Sequence, residues 1–185
     1  KVWVTGPRRE KEECVSVLNR TFEAVHQLFP AKVAHAHCDI PCGIYDPHQA
    51  QIAALTVIRM NQLIDGLSPP ETNASPEERQ TYTSKLGRYI ASKEEHAELC
   101  KRELRILWAD YFTPSHLEKN PDLHSHFWNA MKVASIARQN VDMPAATELL
   151  SSVHAIAEIF WVTKGAETRR RASGHVVGGE VVYPV

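Results

Sequence analysis

Between Asp46 and Lys164 apolar residues recur at steps of three and four, the spacing of a single helix face. Ile52, Leu55, Ile58 and Leu63 define a first helix. It opens at Asp46-Pro47, an N-cap aspartate with proline at the first helical position, and stops at Gly66. A Pro/Ser/Asn linker, 68–74, comes next. Ser75-Pro76-Glu77-Glu78 reads as a capping box. The helix it starts carries Tyr82, Leu86, Tyr89, Ile90, Ala97, Leu104, Leu107, Trp108 and Tyr111, and Phe112-Thr113-Pro114 ends it. A third helix begins near Asn120-Pro121-Asp122 with Leu123, Phe127, Met131 and Ala134 on its apolar face. A fourth begins near Pro144 with Leu149, Val153, Ile156 and Phe160. Strand signals are nearly absent before the tail. Four amphipathic helices with short connections predict an all-α protein, an antiparallel up-down four-helix bundle over 47–164.

The flanks read differently. From Arg8 to Phe29 a further apolar face runs through Val15, Leu18, Phe22, Val25 and Leu28, and Pro30 ends it. The small residues from Ala31 to Ala36 suit a protease. Residues 1–36 are therefore expected to be a leader that is removed. Ala34-His35-Ala36 has the small-x-small form of a secretory cleavage site, but no apolar run of adequate length precedes it. After Gly165 the helical pattern stops. Residues 165–185, with Arg169-Arg170-Arg171-Ala172-Ser173 and Gly178-Gly179, are expected to form a flexible tail.

Composition narrows the classes. The chain has 185 residues, 43% hydrophobic and 23% charged, which is globular. Twenty-one basic against 22 acidic side chains give a net charge of -1, so there is no general basic footprint for nucleic acid. The longest apolar runs are a few residues, so no membrane partner is expected. A bundle can carry a di-iron site, but that needs two Glu-x-x-His motifs on facing helices. The chain offers one, Glu23 to His26, and it lies in the leader.

The candidate chemistry lies in His37-Cys38-Asp39-Ile40-Pro41-Cys42-Gly43-Ile44-Tyr45, between the leader and the first helix. Two thiols four residues apart, with proline between them and glycine after, can fold back into a small loop. Thiolates are soft ligands and imidazole is borderline, so zinc, copper or nickel would suit. A small-loop disulfide, or half of a zinc site, remain as alternatives on spacing alone.

Residues 37–47 resemble the metal hook of the nickel superoxide dismutase family. Leu107-Trp108-Ala109-Asp110-Tyr111-Phe112-Thr113-Pro114 and Phe160-Trp161-x-Thr163-Lys164 resemble two further stretches of it. The resemblance covers about 37–164. It implies a nickel hook over 37–46 on a four-helix bundle, a homohexamer, and a maturation protease that cuts between Ala36 and His37. It implies one nickel ion per subunit, held by the α-amine and imidazole of His37, the amide nitrogen of Cys38 and the thiolates of Cys38 and Cys42. The activity implied is superoxide dismutation through a nickel(II)/nickel(III) cycle, giving dioxygen and hydrogen peroxide. Tyr45 would position substrate, Asp39 and Tyr111 would support the hook, and Pro41 would shape it.

Two departures stand out. Where the family carries a Glu and an Arg behind the hook imidazole, this chain has Ala53 and His96, so that support is expected to be either missing or rebuilt by His96. Thr113 replaces a frequent lysine, so guidance of the anion by positive charge is expected either to be weaker or to fall to Lys119. A non-catalytic nickel- or zinc-binding helical protein is the alternative. Reduced thiols suit the cytoplasm, or a plastid stroma.

Overall fold

The computed structural model describes residues 43–185. The leader, the cleavage position Ala36–His37 and the hook residues Cys38, Asp39, Pro41 and Cys42 lie outside the described residues. Four long helices make the body: α1 (His48–Asp65), α2 (Pro76–Ile106), α4 (Leu123–Gln139) and α5 (Met143–Thr163). A short helix, α3 (Pro114–Lys119), joins α2 to α4. The long helices neighbour one another in a ring, α1 on α2, α2 on α4, α4 on α5 and α5 on α1. That is the square arrangement of a four-helix bundle.

Local chemistry sets the boundaries. Asp46 Oδ1 accepts from the His48 amide at 2.6 Å, but Pro47 takes the N-cap position of α1, so the aspartate acts from one residue further out than its sequence position suggested. Ser75 and Glu78 form a reciprocal capping box at the start of α2: the Glu78 amide donates to Ser75 Oγ, and the Ser75 amide to Glu78 Oε2. Asp142 caps α5 through the Ala145 amide at 2.9 Å, with Pro144 in the first turn. The core is Leu55, Val57, Leu104, Leu123, Phe127, Leu149, Val153, Ile156 and Phe160, spaced by alanines that let the helices approach closely. α5 is long and apolar enough to cross a membrane by length and composition, but nine of its residues are buried within the bundle.

Three features differ from the expectations drawn from sequence. First, the buried residues of α2 begin at Lys93, and Tyr82, Leu86, Tyr89 and Ile90 are only half-buried. The first half of the helix meets mainly the 67–74 loop, so it buries less than the second. Second, α2 passes into a π-helical turn, Leu107–Tyr111, closed by the Phe112 amide on the Leu107 carbonyl at 3.1 Å. One extra residue in a turn rotates the downstream residues by about 100°.

Third, 165–185 is not a flexible tail. It forms an antiparallel hairpin, β1 (Thr168–Ala172) with β2 (Glu180–Pro184), in register from Thr168–Pro184 to Ala172–Glu180. Val181 and Val182 are fully buried. Consecutive apolar residues are buried because β2 meets the bundle along its edge. There the side-chain amide of Gln51 stands in for a neighbouring strand: its Nε2 donates to the Val182 carbonyl and its Oε1 accepts from the Val182 amide. Gly179, at φ +74°, lies so close to α1 that a Cβ would stand 2.9 Å from Leu55 Cδ2. Glycine is required there for conformation and for space.

Among the described residues four polar side chains are buried, and each holds a non-helical stretch of backbone or a helix end. Gln51 and His154 hold the hairpin, the latter by Nε2 donating to the Glu180 carbonyl at 3.0 Å. Asn61 donates to the Asp142 carbonyl. Lys93 Nζ donates to the carbonyls of Ala137, Arg138 and Asn140, which ties off the end of α4. Three donors meet three acceptors at the negative end of a helix, so the ammonium form is fully used. Burial nevertheless pulls its pKa below the usual lysine value.

Candidate metal centre

The hook enters the described structure at Gly43, whose φ of +80° turns the chain into α1. Two residues on, the ring of Tyr45 lies 5.5 Å from that of Tyr111. Tyr111 is the hub of an aromatic cluster, with ring centroids at 5.0 Å from Phe112, 5.5 Å from His116 and 4.6 Å from Phe160. The π-helical turn supplies Tyr111, the end of α5 supplies Phe160, and α3 supplies His116.

The polar ends of this cluster are ordered too. Tyr111 Oη lies 2.5 Å from Thr163 Oγ1, and the threonine hydroxyl donates to the Phe160 carbonyl at 2.6 Å. Thr163 has one hydrogen, already committed, so Tyr111 is the donor. His116 Nδ1 accepts from the Thr113 amide, which places its neutral-form proton on Nε2. Thr113 itself caps α3, which gives this departure from the family pattern a structural task. Behind the cluster Trp108 stacks on Phe127 at 5.8 Å and donates to His124 Nδ1 at 2.8 Å.

Tyr45 and Tyr111, expected to share the site, are therefore brought together. His96 is placed elsewhere on α2. Its Nδ1 donates to the Ser92 carbonyl at 2.8 Å, one turn back, which leaves Nε2 as an acceptor. It shares a groove with Gln49 of α1 and with Glu95, Glu98, Leu99 and Arg102. Ala53, one turn beyond Gln49, is in the core at 1% exposure and offers no polar group. Among the described residues, no cluster of three or more His, Cys, Asp or Glu side chains is arranged to hold a metal. Cys100 is buried and its thiol is pushed up to about 12, chiefly by burial, so it is inert as a ligand.

Lys164 gains a role that its sequence motif alone does not assign. Its ammonium lies 4.8 Å from the centroid of the Tyr111 ring and 5.7 Å from that of Phe160. Lys164 thus places a cation on the ring that neighbours Tyr45. The signal was its place after Thr163: one turn past Phe160, it returns to the same helix face.

Residues 32–164 match the family of nickel-containing superoxide dismutases. The chain is 37% identical over 141 residues to the nickel superoxide dismutase of Streptomyces coelicolor (strain ATCC BAA-471 / A3(2) / M145), an alignment covering 76% of this chain and 98% of that protein. It is likewise 37% identical over 144 residues to the enzyme of Streptomyces seoulensis, covering 76% of this chain and 98% of that protein. Among solved structures, native nickel superoxide dismutase superposes with a TM-score of 0.60 at 36% identity, over 70% of this chain and all of that one. The metal-free form gives 0.58 at 34% identity, over 67% of this chain and all of the other. The chain belongs to the nickel-containing superoxide dismutase family.

Proposed function

We propose that the chain dismutates superoxide to dioxygen and hydrogen peroxide, using one nickel ion held by the hook that precedes α1. The observation that carries this is the donor set. His37, Cys38 and Cys42 lie inside the stretch that matches the family. An amine, an amide nitrogen and two thiolates would form a strongly donating set that suits nickel. When bound, nickel supplies the one-electron chemistry. The protein's residues do the rest. Tyr45 stands at the hook's root against Tyr111 and orders the approach of substrate. Lys164 adds positive charge there for an anionic substrate. His96, whose Nε2 is left as an acceptor, is the polar side chain we assign to support of the hook.

The α-amine of His37 is a donor only once Ala36 is removed, since an amide nitrogen in its place is a poor ligand. Cleavage after Ala36 by a maturation protease, assembly as a homohexamer and residence in the reducing cytoplasm complete the proposal. The test is a chain beginning at His37, reduced and loaded with nickel, compared with one that keeps Ala36. One nickel per chain and accelerated superoxide decay are expected from the first and not from the second. A trimmed chain that binds no stoichiometric nickel would overturn the proposal.

A further inference from the structure

The hairpin lies beyond the stretch matched by the family, 32–164, and it grips the helix turn from which the hook extends. We propose that β1–β2 is a brace for the metal hook, with Gln51 and Tyr183 as its positioning residues; this rests on the reading that the hook holds nickel. Three observations carry it. The Gln51 amide, wholly buried in the first turn of α1, is paired on both sides with Val182. The next residue of β2, Tyr183, sets its ring 5.8 Å from that of His48, the first residue of α1. His48 in turn donates its amide to Asp46, the residue after Tyr45. β2 is thus linked through two side chains of α1 to the root of the hook.

The brace is anchored at a distance from the hook as well. His154 and Glu158 of α5 hold the Glu180 carbonyl and the Arg170 guanidinium, and Gln62, near the far end of α1, donates to the Val177 carbonyl. A helix's first turn has four amides without helical partners and frays most easily. Pinning it from outside limits the positions open to Tyr45 and to the ligands before it.

The experiment compares Tyr183→Ala, Tyr183→Phe, Gln51→Ala and, as a control on the far anchor, Gln62→Ala. In the metal-free full chain, exchange of the hydrogen-bonded amides 51–54 is expected to quicken about tenfold in Tyr183→Ala and Gln51→Ala and to stay near wild type in Tyr183→Phe and Gln62→Ala. In the nickel-loaded chain beginning at His37, the first pair should release nickel to a chelator about tenfold faster and broaden the nickel(III) paramagnetic resonance. Unchanged exchange at 51–54 in both Tyr183→Ala and Gln51→Ala would overturn the brace whatever the metal does. Altered exchange with unaltered nickel release and resonance would overturn its link to the hook. If unmutated trimmed protein bound no nickel, the functional reading would fall, while the exchange result would still report whether the hairpin holds the turn.

Discussion

Tyr111 donates its hydroxyl proton to Thr163, whose own hydroxyl is committed to the Phe160 carbonyl. A π-helical turn at the end of α2 is thereby tied to the last turn of α5, and the tyrosine ring beside Tyr45 is fixed in place. Removing the hydroxyl and removing the ring should have separable effects. Tyr111→Phe loses one hydrogen bond and is expected to cost about 1 kcal/mol. Tyr111→Ala also removes the surface on which Tyr45, His116 and Phe160 rest, and should cost about 3 kcal/mol with a larger loss of turnover. Thermal unfolding and superoxide decay, measured on both variants, check the ordering.

Lys164 is expected to act through its charge. Lys164→Ala should lower kcat/KM about threefold and flatten its dependence on ionic strength, since long-range attraction of an anion is screened by salt. Lys119→Ala should do neither. Equal effects from the two substitutions would remove Lys164 from the substrate path.

Replacing Lys93 is a test of stability. Lys93→Met keeps the aliphatic stem but strands three carbonyls at the end of α4. The expected loss is about 3 kcal/mol, or roughly 10 °C in melting temperature, read by thermal unfolding.

Acid should loosen the hairpin through His154. Burial holds its pKa below the ordinary 6.5, opposed by the Glu180 carbonyl it bonds; Arg170 also lowers it, while Glu158 and Glu180 raise it. The folded protein favours the neutral ring, so its contribution is complete above about 6.5 and declines as pH falls below that value. Each pH unit in that window removes up to ~1.4 kcal/mol, until the folded-state pKa is passed. His154→Gln should lack this component when melting is followed from about pH 8 to about pH 5.

The bundle was legible because helix faces and caps are local. Ser75 and Glu78 announce their own geometry, and Leu149, Val153, Ile156 and Phe160 keep helical spacing. The π-helical turn was not, since Leu107 to Tyr111 continue the same apolar stripe in either winding. The hairpin was not either. Gly178-Gly179 suggests looseness until Leu55 is seen against Gly179, and no alternation marks Val181 and Val182, because β2 is buried along an edge. Nothing near Lys93 in the chain marks it as buried, because its acceptors lie more than forty positions away. Of the site, the closeness of Tyr45 and Tyr111 was readable from motif, while Cys38 to Cys42 lie outside the described residues. The role of Lys164 required knowing where the last turn of α5 ends.

The pairing of Gln51 with Val182 joins positions 131 residues apart. As the chain leaves the ribosome, α1 emerges long before its clasp has been translated. The helices can find one another early through nearby partners, whereas the clasp closes only after nearly everything else is in place. What closes last, with few contacts of its own, is also the piece expected to open first under heat or denaturant, ahead of any melting of the helices.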